Sequence, residues 1–305
     1  MAGPMVRLLC ATLLCVLAVA CGPLVAKPAF VDGATPASSP FASSTPATLL
    51  PGPHRPVPTS PRPLARELIR TTVAVRRSIQ AWVAPGGTRT LRPPRAVALQ
   101  ALYQQRLYRA LASAPRLARR TLALLPGWLA GEARNDVRAG TDLLSLARSS
   151  HYPRVRIRTQ RPEPASQLLR YYRQAQRRFG VSWAVLASVN FIESKFGRVR
   201  SRSGAGAQGP MQFIPSTWAV YGMGGNVHDP HDAIMGAANY LHASGAPPYY
   251  RRALYHYNPA LPYVDAVLRY AKQMARQPEG YFEYYNWQVF RVTPSGDRQL
   301  TGPGT

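Results

Sequence analysis

The fold of this chain is decided by the stretch from Trp183 to Gly197, which reads WAVLASVNFIESKFG. Its apolar residues recur at helical spacing, and Ser182, directly before it, is a residue type that caps helix N-termini. The stretch therefore predicts an apolar helix with one carboxylate, Glu193, at its end. The neighbours of that carboxylate in sequence include the apolar residues Phe191 and Phe196.

Helical spacing also governs most of the chain on either side of this stretch. Apolar stripes separated by arginine-rich faces fill residues 64–150, and the pattern returns from residue 163 to about residue 286. The alternation typical of strands is nearly absent. We therefore predict an all-α chain, with a main helical domain at residues 163–290, a separate amphipathic helical module at residues 64–150 and a tail at residues 291–305. A basic amphipathic helix can also lie on a membrane or on nucleic acid, so the role of the module stays open.

The N-terminal residues predict export. Arg7 precedes an apolar run from Leu8 to Ala20, which is too short to span a membrane and has the length and flanks of a signal peptide. Cys21 follows this run and resembles the acylated cysteine of bacterial lipoproteins, whereas an ordinary cleavage site would also fit residues 18–20. We predict a signal peptide at residues 1–21, a cell-envelope location, and a proline-rich disordered linker at residues 22–63.

The net charge of the chain excludes some classes of protein. It has 38 Lys and Arg residues against 13 Asp and Glu residues, a formal net charge of +25, which argues against an acidic or freely cytosolic metabolic protein. Such a surface attracts polyanions and responds to salt. Charge alone leaves nucleic acid, acidic lipid and anionic cell-wall polymers open as partners.

Two further motifs supply groups that suit a sugar. One is the glycine-rich turn from Gly206 to Trp218, which reads GAQGPMQFIPSTW, and the other is YNPALPY, from Tyr257 to Tyr263. Amides and hydroxyls can bond to acetamido and hydroxyl groups, and an apolar setting keeps a glutamic acid protonated for donation to a glycosidic oxygen. The motifs together predict glycan cleavage with Glu193 as the acid. Taken alone, Glu193 would be a solvated helix-end carboxylate paired with Lys195 or an arginine.

These motifs resemble the catalytic domain of bacterial lytic transglycosylases over roughly residues 163–276. The resemblance is closest to the membrane-bound B-type branch and includes the run DPHDAI from Asp229 to Ile234. It implies a lysozyme-like fold, peptidoglycan as substrate, and cleavage between N-acetylmuramic acid and N-acetylglucosamine. It also implies that Glu193 protonates the leaving oxygen and then, as a carboxylate, removes a proton from the muramoyl 6-hydroxyl, giving a 1,6-anhydro product.

The resemblance also assigns further residues of the cleft by position. It implies that Ser203 orients Glu193, and that substrate is bound by Met211, Gln212, Phe213, Tyr257, Asn258 and Tyr263. From the residues alone, each of these could instead serve packing or a turn, and Met211 and Phe213 in particular fit a core. Asp229 and Asp232 fit a turn and a helix cap better than catalysis.

The residues that could bind a metal or act as a second carboxylate limit the possible mechanisms. We expect no metal and no cofactor, because the histidines lack ligand spacing, residues 221–229 have too few acidic ligands, and no phosphate-binding loop occurs. No second carboxylate between residues 163 and 286 is clearly aimed at a cleft, which favours a single acid over a carboxylate pair. A hydrolytic muramidase and a noncatalytic wall-binding or scaffold protein remain the alternatives. The expected partners are peptidoglycan strands and anionic wall polymers or a membrane surface, without nucleic acid, for a monomeric protein.

Overall fold

The computed structural model describes residues 50–84, 92–149, 156–293 and 296–305. Within these ranges the chain forms helices and one short hairpin, which confirms the all-α prediction. The helices and strands are α1 Pro61–Val83, α2 Arg95–Ser113, α3 Pro115–Leu122, α4 Gly127–Ser149, α5 Ala165–Phe179, α6 Trp183–Ser194, α7 Pro215–Tyr221, α8 Pro230–Ala243, α9 Tyr250–Tyr257, α10 Leu261–Arg276, α11 Pro278–Tyr285, β1 Phe290–Thr293 and β2 Gly296–Gln299.

The N-terminal predictions fall largely beyond these ranges. The signal peptide at residues 1–21, Cys21 and residues 22–49 of the linker lie outside the described residues. The described end of the linker lies against α2, where the Tyr103 hydroxyl donates to the Pro56 carbonyl at 3.1 Å. In the described part of the chain, no helix combines the length and the apolar character needed to cross a membrane.

The helices of segment 64–150 bury the stripe that their sequence predicts. Leu64, Leu68, Val75 and Ile79 lie on one face of α1 and are fully buried. α1 packs on α2, and α2 packs on α4. α1 begins at Pro61, inside the predicted linker, because proline suits the first turn of a helix.

The two helical segments are distinct in sequence but share one core in space. α4 packs along α10, α1 contacts α11, and one cluster of buried side chains runs through both segments. A buried ionic group joins them, because Arg76 of α1 pairs with Glu132 of α4 and, at 2.8 Å, with Glu283 of α11. The Gln104 amide donates to the second oxygen of Glu283 at 3.3 Å. The two segments therefore pack against each other through a shared hydrophobic core and a buried ionic group.

Helix α6 is buried along nearly its whole length, as expected for a helix that is apolar on all sides. The Ser188 hydroxyl donates to the Val267 carbonyl of α10 at 2.8 Å, and the Asn190 amide donates to the Tyr172 hydroxyl of α5 at 2.9 Å. These bonds satisfy the polar side chains inside the core. The end of α6 that carries Glu193 is thereby held between α5 and α10.

The C-terminal residues form a hairpin that rests on the first helical segment. β1 and β2 pair antiparallel with Phe290 opposite Gln299, so the segment 291–305, which the sequence marks only as a tail, supplies most of this hairpin. The Arg109 guanidinium of α2 donates to the Asp297 carboxylate at 2.6 Å and lies 4.7 Å from the centre of the Phe290 ring. The hairpin is thus fixed beside α2.

Candidate active site

Glu193 lies where α6 ends in a sharp turn. The three residues that follow α6, Lys195, Phe196 and Gly197, all have positive φ angles. The N–H groups of Lys195 and Phe196 donate to carbonyls of the last turn of the helix. The Ser194 hydroxyl accepts from the Gly197 N–H at 2.8 Å and donates to the Pro210 carbonyl at 2.5 Å. Ser194 therefore ties the helix end to the glycine-rich loop.

The Glu193 carboxyl group is almost sealed from solvent. Its residue is 7% exposed, and the Tyr263 hydroxyl donates to its Oε1 atom at 2.8 Å. Burial raises the pKa of Glu193 to about 7, although the Tyr263 bond and the Lys195 charge both act to lower it. Near neutral pH this carboxyl group can therefore exist in both protonation states, which suits a group that donates a proton and then takes one back.

The alternative for Glu193, an ion pair with Lys195, is not what the structure shows. The Lys195 ammonium donates to the Phe191 carbonyl at 3.0 Å and sits 3.9 Å from the centre of the Phe191 ring. Across the described residues, no Lys, Arg or His nitrogen lies within 4.0 Å of the Glu193 carboxylate. Burial, together with the charges of Arg109 and Arg198, lowers the pKa of Lys195 to about 7.

The glycine-rich loop forms a tight reversal next to this helix end. Gln208 and Phe213 pair across it, each donating its N–H to the other's carbonyl at 2.9 Å. Gly209 is required there, because its φ angle is +75° and a Cβ atom would lie 1.9 Å from the Val227 carbonyl oxygen. Gln212, also at positive φ, donates its amide to the Gly209 carbonyl at 2.9 Å. Its amide oxygen is buried and has no partner among the described residues.

Tyr257 fastens this loop to the rest of the domain. Its hydroxyl donates to the Met211 carbonyl at 2.6 Å, and its ring centre lies 6.0 Å from that of Phe213. Met211 and Phe213 are buried, at 0% and 3% exposure, so their packing is that of core residues. The hydroxyls of Tyr257 and Ser194 thus both hold the loop, through the Met211 and Pro210 carbonyls.

Glu193 also lines a cavity of about 130 Å³ that the N-terminal helices help to build. Tyr108 and Arg109 of α2 and Asp136 of α4 lie along it, and Phe290 and Val292 of the hairpin add apolar surface. Of the predicted site residues in the described part of the chain, Glu193 alone is among its lining residues. The N-terminal helices and the hairpin therefore form one wall beside the catalytic candidate.

One region of the chain matches a known protein family. Residues 170–277 match the Transglycosylase SLT domain. The match supports a lytic transglycosylase or lysozyme-like family for this region, and with it an enzyme. It covers about a third of the chain, from within α5 to the end of α10, and includes Glu193. No solved structure was found to match the chain.

Two further residues of the predicted site, Ser203 and Asn258, form hydrogen bonds within their own loops. The Ser203 hydroxyl accepts from the N–H groups of Ala205 at 3.2 Å and Ala207 at 2.9 Å, so its bonds shape its own loop rather than reach Glu193. Asn258 is 4% exposed and forms the link between α9 and α10, where its carbonyl accepts from Ala260. Tyr263, by contrast, does touch the catalytic candidate.

The acidic residues after the glycine-rich loop serve the SLT domain as local caps. Asp229 accepts from the Asp232 N–H at 3.0 Å at the start of α8, and Asp232 accepts from the Asn226 N–H at 2.9 Å. The Asn226 bond, with a second from His231, holds the pKa of Asp232 below its ordinary value. Possible ligand atoms of Asp229, His231 and Asp232 lie within 4.8 Å of one another, but the carboxylates are engaged in these bonds.

The cavity contains a second carboxylate, Asp136, which lies N-terminal to the region where the sequence predicts the catalytic domain. Asp136 is 4% exposed, and the Tyr284 hydroxyl donates to its Oδ1 atom at 2.5 Å. Burial raises the pKa of Asp136 well above its ordinary value. Asp136 lies at helical spacing from the buried Leu129 and Ala133, so the stripe of α4 places it on the buried face but does not show which cavity it lines.

Proposed function

We propose that this chain is a peptidoglycan lytic transglycosylase in which Glu193 acts first as the acid and then as the base. The observation that carries the proposal is a buried carboxyl group, hydrogen-bonded by Tyr263, whose pKa is raised to about 7. The match of residues 170–277 to the SLT domain supports the reaction class. Placement in the B-type branch remains a prediction.

In the proposed reaction, the Glu193 carboxyl group donates its proton to the oxygen that links N-acetylmuramic acid to N-acetylglucosamine. The bond between the muramoyl C1 atom and that oxygen breaks, and the N-acetylglucosamine end leaves as an alcohol. The Glu193 carboxylate then takes the proton of the muramoyl 6-hydroxyl, whose oxygen bonds to C1. The product is a 1,6-anhydro sugar, Glu193 returns to its protonated state, and no water is consumed.

The residues around Glu193 support this sequence of steps. Burial disfavours the carboxylate that forms after the first transfer, whereas the Tyr263 hydroxyl stabilises it. The unpartnered Gln212 oxygen is an acceptor that an acetamido N–H could satisfy. The role of Ser203 in orienting Glu193 and the substrate roles of Met211, Phe213, Tyr257 and Asn258 remain predictions, and the contacts of Met211, Phe213 and Tyr257 fit support of the loop.

We also propose that the protein acts in the cell envelope, following the predicted signal peptide at residues 1–21. Both alternatives, acylation of Cys21 and an ordinary cleavage site at residues 18–20, stay open predictions. The net charge of +25 fits retention near anionic wall polymers or phospholipid head groups.

A hydrolytic muramidase is the second candidate, because Asp136 lines the same cavity as Glu193 and could in principle act as a partner carboxylate. The lyase is favoured because burial raises the pKa of Asp136 well above its ordinary value, and no described residue forms an ion pair with it, so its environment disfavours the carboxylate that a base requires.

Product analysis tests the proposal. Purified sacculi are digested with the wild type, with Glu193→Gln and with the matched variant Glu163→Gln, whose carboxylate is exposed. Mass spectrometry should show anhydro-muramoyl ends with the wild type and Glu163→Gln, and none with Glu193→Gln. Reducing muramoyl ends alone would contradict the lyase mechanism, and equal digestion by all three proteins would remove Glu193 from the reaction.

A further inference from the structure

A second cavity, of about 690 Å³, opens beside the turn that follows Glu193 and is strongly basic. Four arginines and one histidine are among the residues that line it, and no carboxylate is among them: Arg156, Arg158, Arg200, Arg202 and His228. All four arginines are exposed, and in the described part of the chain none has a carboxylate within 4.0 Å. We call this the arginine pocket.

A backbone bridge brings together the two segments that carry the four arginines. Thr159 and Val199 form an isolated antiparallel bridge, and the Arg200 N–H donates to the Arg158 carbonyl at 2.9 Å. The bridge sets Arg158 opposite Arg200. All four arginines line the same cavity.

Hydrogen bonds of the backbone hold the two segments together and leave the guanidinium groups of the arginines unused. The Ser201 hydroxyl donates to the Arg156 carbonyl at 2.9 Å and accepts from the Arg158 N–H at 2.6 Å. Like charges placed opposite one another across strands repel and destabilise the pairing. A bound anion would relieve that repulsion, and guanidinium groups bind carboxylates in a planar, two-bond geometry.

The arginine pocket adjoins the Glu193 cavity. Val199 lines both cavities, and Gly209 and Pro210 of the glycine-rich loop line the arginine pocket. The Pro210 carbonyl accepts from Ser194, the residue directly after Glu193. An anion held in the pocket would therefore lie close to the site of the reaction proposed for Glu193.

From this placement, and resting on the proposed function, we propose that the arginine pocket binds the carboxylates of the peptide stem attached to the muramoyl residue. The stem leaves the sugar next to the cleaved bond and bears several carboxylates, so it is the acidic group closest to the reacting atoms. The pocket would then give the enzyme a preference for glycan strands that retain their stems.

The test compares strands with and without stems. The variant R156Q/R158Q/R200Q/R202Q is compared with R116Q/R119Q/R120Q/R134Q, which removes the same charge from exposed arginines of α3 and α4. For strands with stems, the pocket variant should raise KM about tenfold, as expected for four exposed ion pairs, and the control should leave it within about twofold. For strands stripped by an amidase, the two variants should have equal KM values. Amidation of the stem carboxylates should remove the preference of the wild type.

Each contrary outcome has a distinct meaning. Equal KM changes on both kinds of strand would show a general attraction of charge and overturn the stem assignment, as would a wild type with no preference for stems. Tighter binding of a phosphate-bearing wall polymer than of stem peptide, lost only in the pocket variant, would also overturn it. If the wild type releases no anhydro product from either strand, the proposed function fails instead, and calorimetry with isolated stem peptide still tests the pocket. Urea unfolding confirms that both variants are folded.

Discussion

Replacing Glu193 with glutamine should stabilise the protein at alkaline pH while abolishing its activity. The pKa of Glu193 is raised from 4.5 to about 7, so the folded state holds the proton more tightly than the unfolded chain does. Protonated Glu193 contributes about 3 kcal/mol to the free energy of unfolding. This contribution is fully present below about pH 4.5 and is lost as the pH rises through about 7. Glutamine carries no charge and still offers an oxygen to the Tyr263 hydroxyl.

The assay is urea unfolding of the wild type and Glu193→Gln at about pH 4 and about pH 8. The difference in unfolding free energy between the two proteins should shift by about 3 kcal/mol in favour of the variant at the higher pH. Lys195, whose pKa is lowered to about 7, destabilises both proteins as the pH falls from 10.5 towards 7, so its effect largely cancels in this comparison. An unchanged difference at the two pH values would refute the buried, desolvated setting of Glu193. Turnover should fall about a thousandfold in the variant.

Three further substitutions separate the roles of the neighbouring groups. Tyr263→Phe removes the bond that favours ionised Glu193, so kcat/KM, which should decline in the wild type above about pH 7, should decline at a higher pH and from a lower plateau. Tyr257→Phe, which loses the bond to the Met211 carbonyl and leaves the Tyr263 bond to Glu193 in place, should keep the wild-type pH profile, and an equal shift in both variants would contradict the assignment. Asp136→Asn keeps the shape of a group that is already protonated, so activity on sacculi should stay within about threefold of wild type. A loss of about a hundredfold or more would revive the hydrolytic mechanism with a carboxylate pair.

The parts of the site that the sequence predicts are those set by local pattern. The apolar period before Glu193 is enough to place a carboxylate at a buried helix end, and the stripe from Leu64 to Ile79 predicts the buried face of α1. Local pattern also indicates local roles for Asp229 and Asp232, although Asp229 rather than Asp232 caps α8, and Asp232 accepts from Asn226 in the turn before it.

What the sequence could not predict depends on contacts between distant residues. Asp136 reaches the Glu193 cavity only because α4 packs along α10, and that choice of neighbour leaves no trace in the composition of either helix. Ser203 is a hydroxyl that could reach either Glu193 or its own loop, and only the path of the backbone decides between them. The sequence does not predict the hairpin, because the residues of β2, GDRQ, are polar and mostly exposed and show no alternation of apolar residues.

The ionic group of Arg76, Glu132 and Glu283 bears on how such an enzyme could be shortened or recombined. A fragment limited to residues 163–290 would keep Glu283 but lose both Arg76 and Gln104, which leaves a buried carboxylate without its counterion. The same cut would uncover the side of α10 that α4 protects, an apolar surface prone to aggregation. Grafting this lytic activity onto another protein therefore requires the transfer of the first four helices together with the SLT domain.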